Sequence, residues 1–169
     1  MAYSLLALRW CLCAVFLIAA VAKSRHFTAF LDSIVELRIV PSGIRRPTAV
    51  VAIAAELAVA GLLGWGPTAR SGFIAALVLT AILTAVPASA MLRRQHVRCA
   101  CFGAARTPLG WWQLARNLLL LAMAAVGAAI PAPGVALAAP GVLVALAAAT
   151  VGTAVITLSD QVAELLAVR

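Results

Sequence analysis

The sequence predicts an all-α integral membrane protein: a helical bundle with a four-helix core, a fifth transmembrane segment and an amphipathic surface helix. Three observations predict it. Of 169 residues, 65% are hydrophobic and 11% are charged, whereas a soluble domain is nearer half apolar and a quarter charged. The mean hydropathy is +1.11, too high for the side chains to hide in one small aqueous core, so lipid is the solvent that fits. The apolar residues also fall in runs of about twenty, and twenty residues of helix rise about 30 Å, the thickness of the hydrocarbon layer. The length suits one compact bundle rather than two domains.

The first run covers residues 3–22. Ala20-Val21-Ala22 has the look of a signal-peptidase site, but the run is long, its start carries only Arg9, and more membrane runs follow. A first helix that is retained is therefore expected. Residues 23–47 differ in kind: Lys23, Arg25, His26, Asp32, Glu36, Arg38, Arg45 and Arg46 interleave with Phe27, Phe30, Leu31, Ile34, Val35 and Leu37 at helical spacing. That pattern predicts an amphipathic helix on the membrane surface, ending near Pro41-Ser42-Gly43. The second membrane run is 48–65, with Pro47 at its first turn, and Gly66-Pro67 is a turn. The third is 72–92, which Pro87 should kink. A polar loop from 93 to 108 carries Cys99-Ala100-Cys101-Phe102-Gly103. Thr107 then offers an N-cap and Pro108 a first-turn proline for a fourth helix, 109–130, whose Trp111 and Trp112 fall at headgroup depth. Pro131-Ala132-Pro133-Gly134 breaks the chain. A fifth run, 135–158, is long enough to cross although Pro140 and Gly141 weaken it, and 159–169 is a short polar tail. The organisation is thus a four-helix membrane domain over 1–130, an additional transmembrane segment over 131–158, and the tail.

The formal net charge is +8, from thirteen Lys plus Arg against five Asp plus Glu. In a soluble protein that would suggest nucleic acid. Here the basic residues stand in short loops between apolar runs, so the partner is the lipid bilayer and no nucleic acid is expected. With five crossings, Lys23, Arg25, Arg38, Arg45, Arg46, Arg93, Arg94, Arg98 and Arg106 share one face, and Arg70 lies on the other with Arg9. The positive-inside rule assigns the basic loops, and the cysteine loop with them, to the cytoplasm. Disulfide formation belongs on the opposite side. The two arguments conflict and leave the side open. The expected location is the cell (plasma or inner) membrane.

Cys99 and Cys101 are the sharpest chemical feature. A disulfide across one intervening residue closes a very small ring, whose strain makes it readily reduced and a good thiol oxidant. Arg94, Arg98 and Arg106 nearby favour the reactive thiolate. The pair reads as a dithiol/disulfide exchange site, against the plainer reading of two inert loop cysteines or half of a metal site. One CxC without further Cys or His at ligand spacing is a weak zinc signal, so no metal is assigned. Cys11 and Cys13 form a second CxC inside the first helix, where residues two apart point about 200° apart and cannot bond each other. Packing is their plain role; the sharper one makes either a relay partner of the loop pair, which would have to dip about 13 Å to reach Cys13.

Glu56 lies within the second membrane run and Arg116 within the fourth. Ionisable residues in lipid face the bundle interior and pair. Counted from Pro47 and Pro108, both sit about 12–14 Å deep, which predicts an interior Glu56–Arg116 ion pair. Its plain role is structural; its sharper role is a proton or quinone site. His26 and His96, in loops of the same face, are read as solvated. Phosphate-binding glycine loops, HExxH, GxSxG and paired catalytic carboxylates are missing from the sequence.

The residues together resemble the methylamine utilisation protein MauE family, grouped with the DoxX-like membrane proteins. The resemblance covers about residues 3–130 and rests on Val21-Ala22-Lys23, Pro41, Glu56, Cys99-Ala100-Cys101-Phe102-Gly103, Gly110-Trp111-Trp112 and Arg116-Asn117. It implies a four-helix core and a redox-associated role, as in maturation of methylamine dehydrogenase, whose small subunit is rich in disulfides. A thioredoxin-like or disulfide-rich protein is the implied partner and Cys99 with Cys101 the implied redox pair. Lys23, Glu56, Arg116 and Asn117 match motif positions that carry no assigned role. The arrangement is also loosely similar to quinone-coupled four-helix disulfide oxidases such as vitamin K epoxide reductase, although this sequence has no CxxC. A membrane quinone or a second thiol protein is the candidate electron acceptor, and no cofactor is assigned.

The reading is a membrane-embedded thiol/disulfide redox protein that assists disulfide formation or electron transfer to a partner. The alternative is a non-catalytic subunit or scaffold that docks a redox partner. A transporter is disfavoured, because the sequence shows no convincing inverted repeat.

Overall fold

A computed structural model of the chain describes residues 2–37, 40–92, 111–131 and 138–167. Six α-helices occupy them: α1 Ala2–Arg25, α2 Phe27–Leu37, α3 Arg45–Gly64, α4 Ala69–Leu92, α5 Trp111–Ala129 and α6 Ala139–Ala167. Short 3-10 turns, Ser42–Ile44 and Gly66–Thr68, lead into α3 and α4, and there is no strand among the described residues. Four segments are long and apolar enough to cross a membrane: Ala2–Arg25, Ser42–Gly64, Gly66–Ala85 and Ala139–Leu158. A fifth apolar helix, Gln113–Ala129, is shorter. The chain is an all-α, multi-pass membrane bundle.

The helices form where Ala, Leu and Val run without interruption, because only a helix satisfies every backbone group inside lipid. Their ends need partners for the last carbonyls. At the end of α3 the chain turns extended at Trp65. Thr68 Oγ1 donates to Leu62 O at 2.8 Å. Arg9, from α1, donates through Nε to Leu63 O at 2.5 Å and through Nη2 to Gly64 O at 2.8 Å. The first-run arginine thus caps a neighbouring helix.

α1 is the central helix. It packs on α3, α6, α5 and α4, and contributes Leu12, Val15, Phe16 and Ala20 to the core. Small residues set the close approaches. A Cβ on Gly72 would lie 2.9 Å from the backbone nitrogen of Leu63, and one on Gly127 would lie 2.2 Å from the Phe73 ring. α6 runs parallel to α1: Tyr3 packs on Gly141 and its hydroxyl accepts from Ala138 N at 3.2 Å, while Cys11 packs on Gly152.

Several boundaries differ from the sequence expectation. α4 continues across Pro87 as one helix. The fifth run begins at Ala139, so Pro140 falls in the first turn of α6, where a missing N–H costs nothing, rather than weakening its middle. Helix also extends through the expected polar tail to Ala167. The helix start expected at Thr107 and Pro108 lies outside the described residues. α2 is the expected amphipathic helix, but its apolar face is not left for lipid: Phe30 and Ile34 are buried against Ala49, flanked by Ala52 and Ile53 of α3.

A candidate site in the bundle interior

The buried charged residues among those described, Lys23, Glu56 and Arg116, come from α1, α3 and α5. Lys23 is 3% exposed and Glu56 2%. Nζ of Lys23 donates to Oε1 of Glu56, closing a buried ion pair. The pair spans a difference in depth. Arg9 against Leu63 and Cys13 against Ala60 set an antiparallel register for α1 and α3. Continued to Lys23, that register puts it about six residues, ~9 Å, nearer the membrane face than Glu56. A helical Cα–Cβ bond tilts toward its own N-terminus. In antiparallel helices the Lys23 side chain therefore leans inward and the Glu56 side chain outward, and they meet. The Phe30 ring of α2 lies 5.6 Å from Nζ, a cation–π contact that covers the ammonium from the membrane face.

Arg116, Asn117 and Gln113 of α5 are also buried, at 7%, 9% and 6% exposure. Arg116 Nη2 donates to Asn117 Oδ1 at 3.4 Å, and the guanidinium is within electrostatic range of both Lys23 and Glu56. The ion-pair partner of Glu56 is nevertheless Lys23 and not Arg116, the partner that counting along the sequence predicts. Depth and helix direction account for it. The Leu63–Gly72 and Phe73–Gly127 contacts place Arg116 about five residues, ~8 Å, nearer the face than Glu56. α5 also runs parallel to α3, so the Arg116 side chain leans away from Glu56.

By sequence Lys23 reads as a loop charge, but it lies in the last turn of α1, and the signal that finds it is helix direction rather than spacing. Gln113 carried no sequence signal beyond its polarity. The two cysteines of α1 face different neighbours, as their spacing requires. Cys11 is buried against α6, where Thr153 Oγ1 approaches its Sγ at 3.7 Å, and Cys13 Sγ donates to Ala60 O of α3 at 3.3 Å. Both are free thiols. His26 is exposed at the α1–α2 junction. Cys99, Cys101 and His96 lie outside the described residues.

Comparison with known proteins adds the following. The model of the family described as "Methylamine utilisation protein MauE" matches residues 1–130. The methylamine utilization protein MauE of Paracoccus denitrificans is 35% identical over 128 residues, which is 74% of this chain and 69% of that protein. No solved structure matches.

Proposed function

We propose that this chain, which belongs to the methylamine utilisation protein MauE family, is a membrane-embedded thiol/disulfide redox protein that assists disulfide formation in, or electron transfer to, a partner protein. The observation that carries the reading is Cys99-Ala100-Cys101-Phe102-Gly103, a CxC within the family-matched stretch and among arginines that favour thiolate. The packing of Cys11 against α6 and Cys13 against α3 supports a structural role for those two and is consistent with Cys99 and Cys101 as the exchanging pair.

A thiolate of the partner attacks one sulfur of the Cys99–Cys101 disulfide. A partner–protein S–S bond forms and the other cysteine leaves as thiolate. The partner's second thiolate then attacks the mixed disulfide, which releases the partner oxidised and leaves Cys99 and Cys101 holding the two electrons. Reoxidation passes two electrons and two protons to a membrane quinone or to the disulfide of a second thiol protein. Run in reverse, the same chemistry delivers reducing equivalents. By this reading the protein lies in the plasma membrane, and its partner is thioredoxin-like or rich in disulfides.

The test is thiol labelling of intact cells with a membrane-impermeant maleimide, on a Cys11→Ala, Cys13→Ala variant. Labelling from outside only after reductant is the expected result. Labelling only after lysis, with no need of reductant, together with full function in Cys99→Ser with Cys101→Ser, would replace the redox reading with a docking subunit.

A further inference from the structure

The Lys23–Glu56 contact leaves both partners incompletely satisfied. A carboxylate offers two oxygens, and an ammonium offers three donors and no acceptor. Oε1 of Glu56 accepts from Lys23, while Oε2 is buried with no hydrogen-bond partner among the described residues. For Nζ, the Glu56 bond is the one hydrogen bond made among those residues.

A second orphan oxygen lies at the same level. The Leu63–Gly72 register sets Thr80 of α4 opposite Glu56, and Thr80 Oγ1 is buried without a hydrogen-bond partner among the described residues. Other helical threonines turn the hydroxyl back onto a carbonyl of the preceding turn, as Thr84, Thr150, Thr153 and Thr157 do at 2.6, 2.8, 2.8 and 2.8 Å. Inside a membrane bundle no bulk solvent satisfies such groups, so each orphan costs free energy unless something occupies the space it faces.

The complementarity is specific. An anion does not fit, because Glu56 Oε2 would face it. A cation does not fit, because Lys23 already bonds this carboxylate and Arg116 is within electrostatic range of it. One neutral oxygen that both donates and accepts fits, and that is a hydroxyl. We propose that the Lys23–Glu56 pair is a binding site for a hydroxyl group within the bundle, which donates to Glu56 Oε2 and accepts from Lys23 Nζ. Two carriers share this chemistry: a buried water, or the phenolic hydroxyl of a lipid-soluble hydroquinone. With the second carrier the site deepens the redox reading, as the place where a reduced electron acceptor docks, but its geometry does not depend on Cys99 or Cys101.

The experiment titrates the purified full-length protein in lipid nanodiscs with radiolabelled decyl-benzohydroquinone, correcting for partition into empty discs. Saturable binding that Glu56→Gln weakens about tenfold or more supports the phenolic carrier. No saturable binding, with an infrared O–H band that shifts in oxygen-18 water and vanishes in Glu56→Gln, supports the water carrier. Neither signal in wild-type protein overturns the proposal. If Glu56→Gln fails to insert, Glu56→Asp takes its place, since it keeps the charge and draws the carboxylate back by one methylene. Cys99→Ser with Cys101→Ser should bind the hydroquinone like wild type even if it, or the wild type, shows no thiol chemistry, so the two readings fail separately.

Discussion

Lys23 and Glu56 start from different depths and meet because α1 and α3 run in opposite directions. Each side chain leans toward the N-terminus of its own helix, which carries the lysine inward and the glutamate outward. Phe30 of α2 closes the membrane-face side of the pair. α2 therefore covers a buried charge as well as packing on α3.

Removing one partner of this pair should cost far more than removing both. Lys23→Met or Glu56→Gln alone leaves a polar or charged group stranded among apolar helices, at about 3–5 kcal/mol. The double variant should recover most of that loss. Unfolding in mixed micelles titrated with SDS reads it, and strictly additive single losses would show that the pair is not coupled.

Gly127→Ala should destabilise by about 1–3 kcal/mol through overpacking, because its methyl group would fall 2.2 Å from Cε1 of Phe73. Gly61→Ala has nothing within 4 Å of the new carbon and should be neutral or raise stability, as alanine is the better helix former. Thermal unfolding of both in the same detergent makes the comparison, and equal effects would contradict the α4–α5 packing.

Arg9→Leu should lower stability by about 1–3 kcal/mol, since two hydrogen bonds from a charged group to the last carbonyls of α3 are lost. Arg9→Lys keeps the charge but not the fork and should fall between. A leucine variant that melts with wild type would show that solvent or headgroups cap α3 instead.

Cys11→Ala with Cys13→Ala should keep disulfide-exchange activity, and Cys99→Ser with Cys101→Ser should abolish it. A fluorogenic disulfide substrate with membranes of each variant measures this. Loss of activity in the first variant at wild-type stability would make a helix-one thiol part of the relay.

The number and type of elements were legible because lipid permits so few solutions. Runs of about twenty apolar residues between Arg-, Gly- and Pro-rich breaks predict spanning helices, and five of the six helices match such runs. The periodic Phe27, Phe30, Leu31 and Ile34 also marked α2 correctly as amphipathic. What that face packs against was not legible: hydrophobic periodicity states that a side is apolar, not whether lipid or α3 will cover it. Glu56 and Arg116 were recognisable as interior residues, since charges in lipid turn inward.

The sequence by itself determined the solvent, the helical class and which residues are too polar for lipid, because each follows from local composition and the need to satisfy every backbone group. Only the tertiary structure decided who pairs with whom. Glu56 takes Lys23 rather than Arg116 because pairing depends on the direction, register and depth of neighbouring helices, and those are fixed by contacts such as Leu63 on Gly72 and Phe73 on Gly127. Arg9, which from the sequence looked like a flanking charge, caps α3 for the same reason.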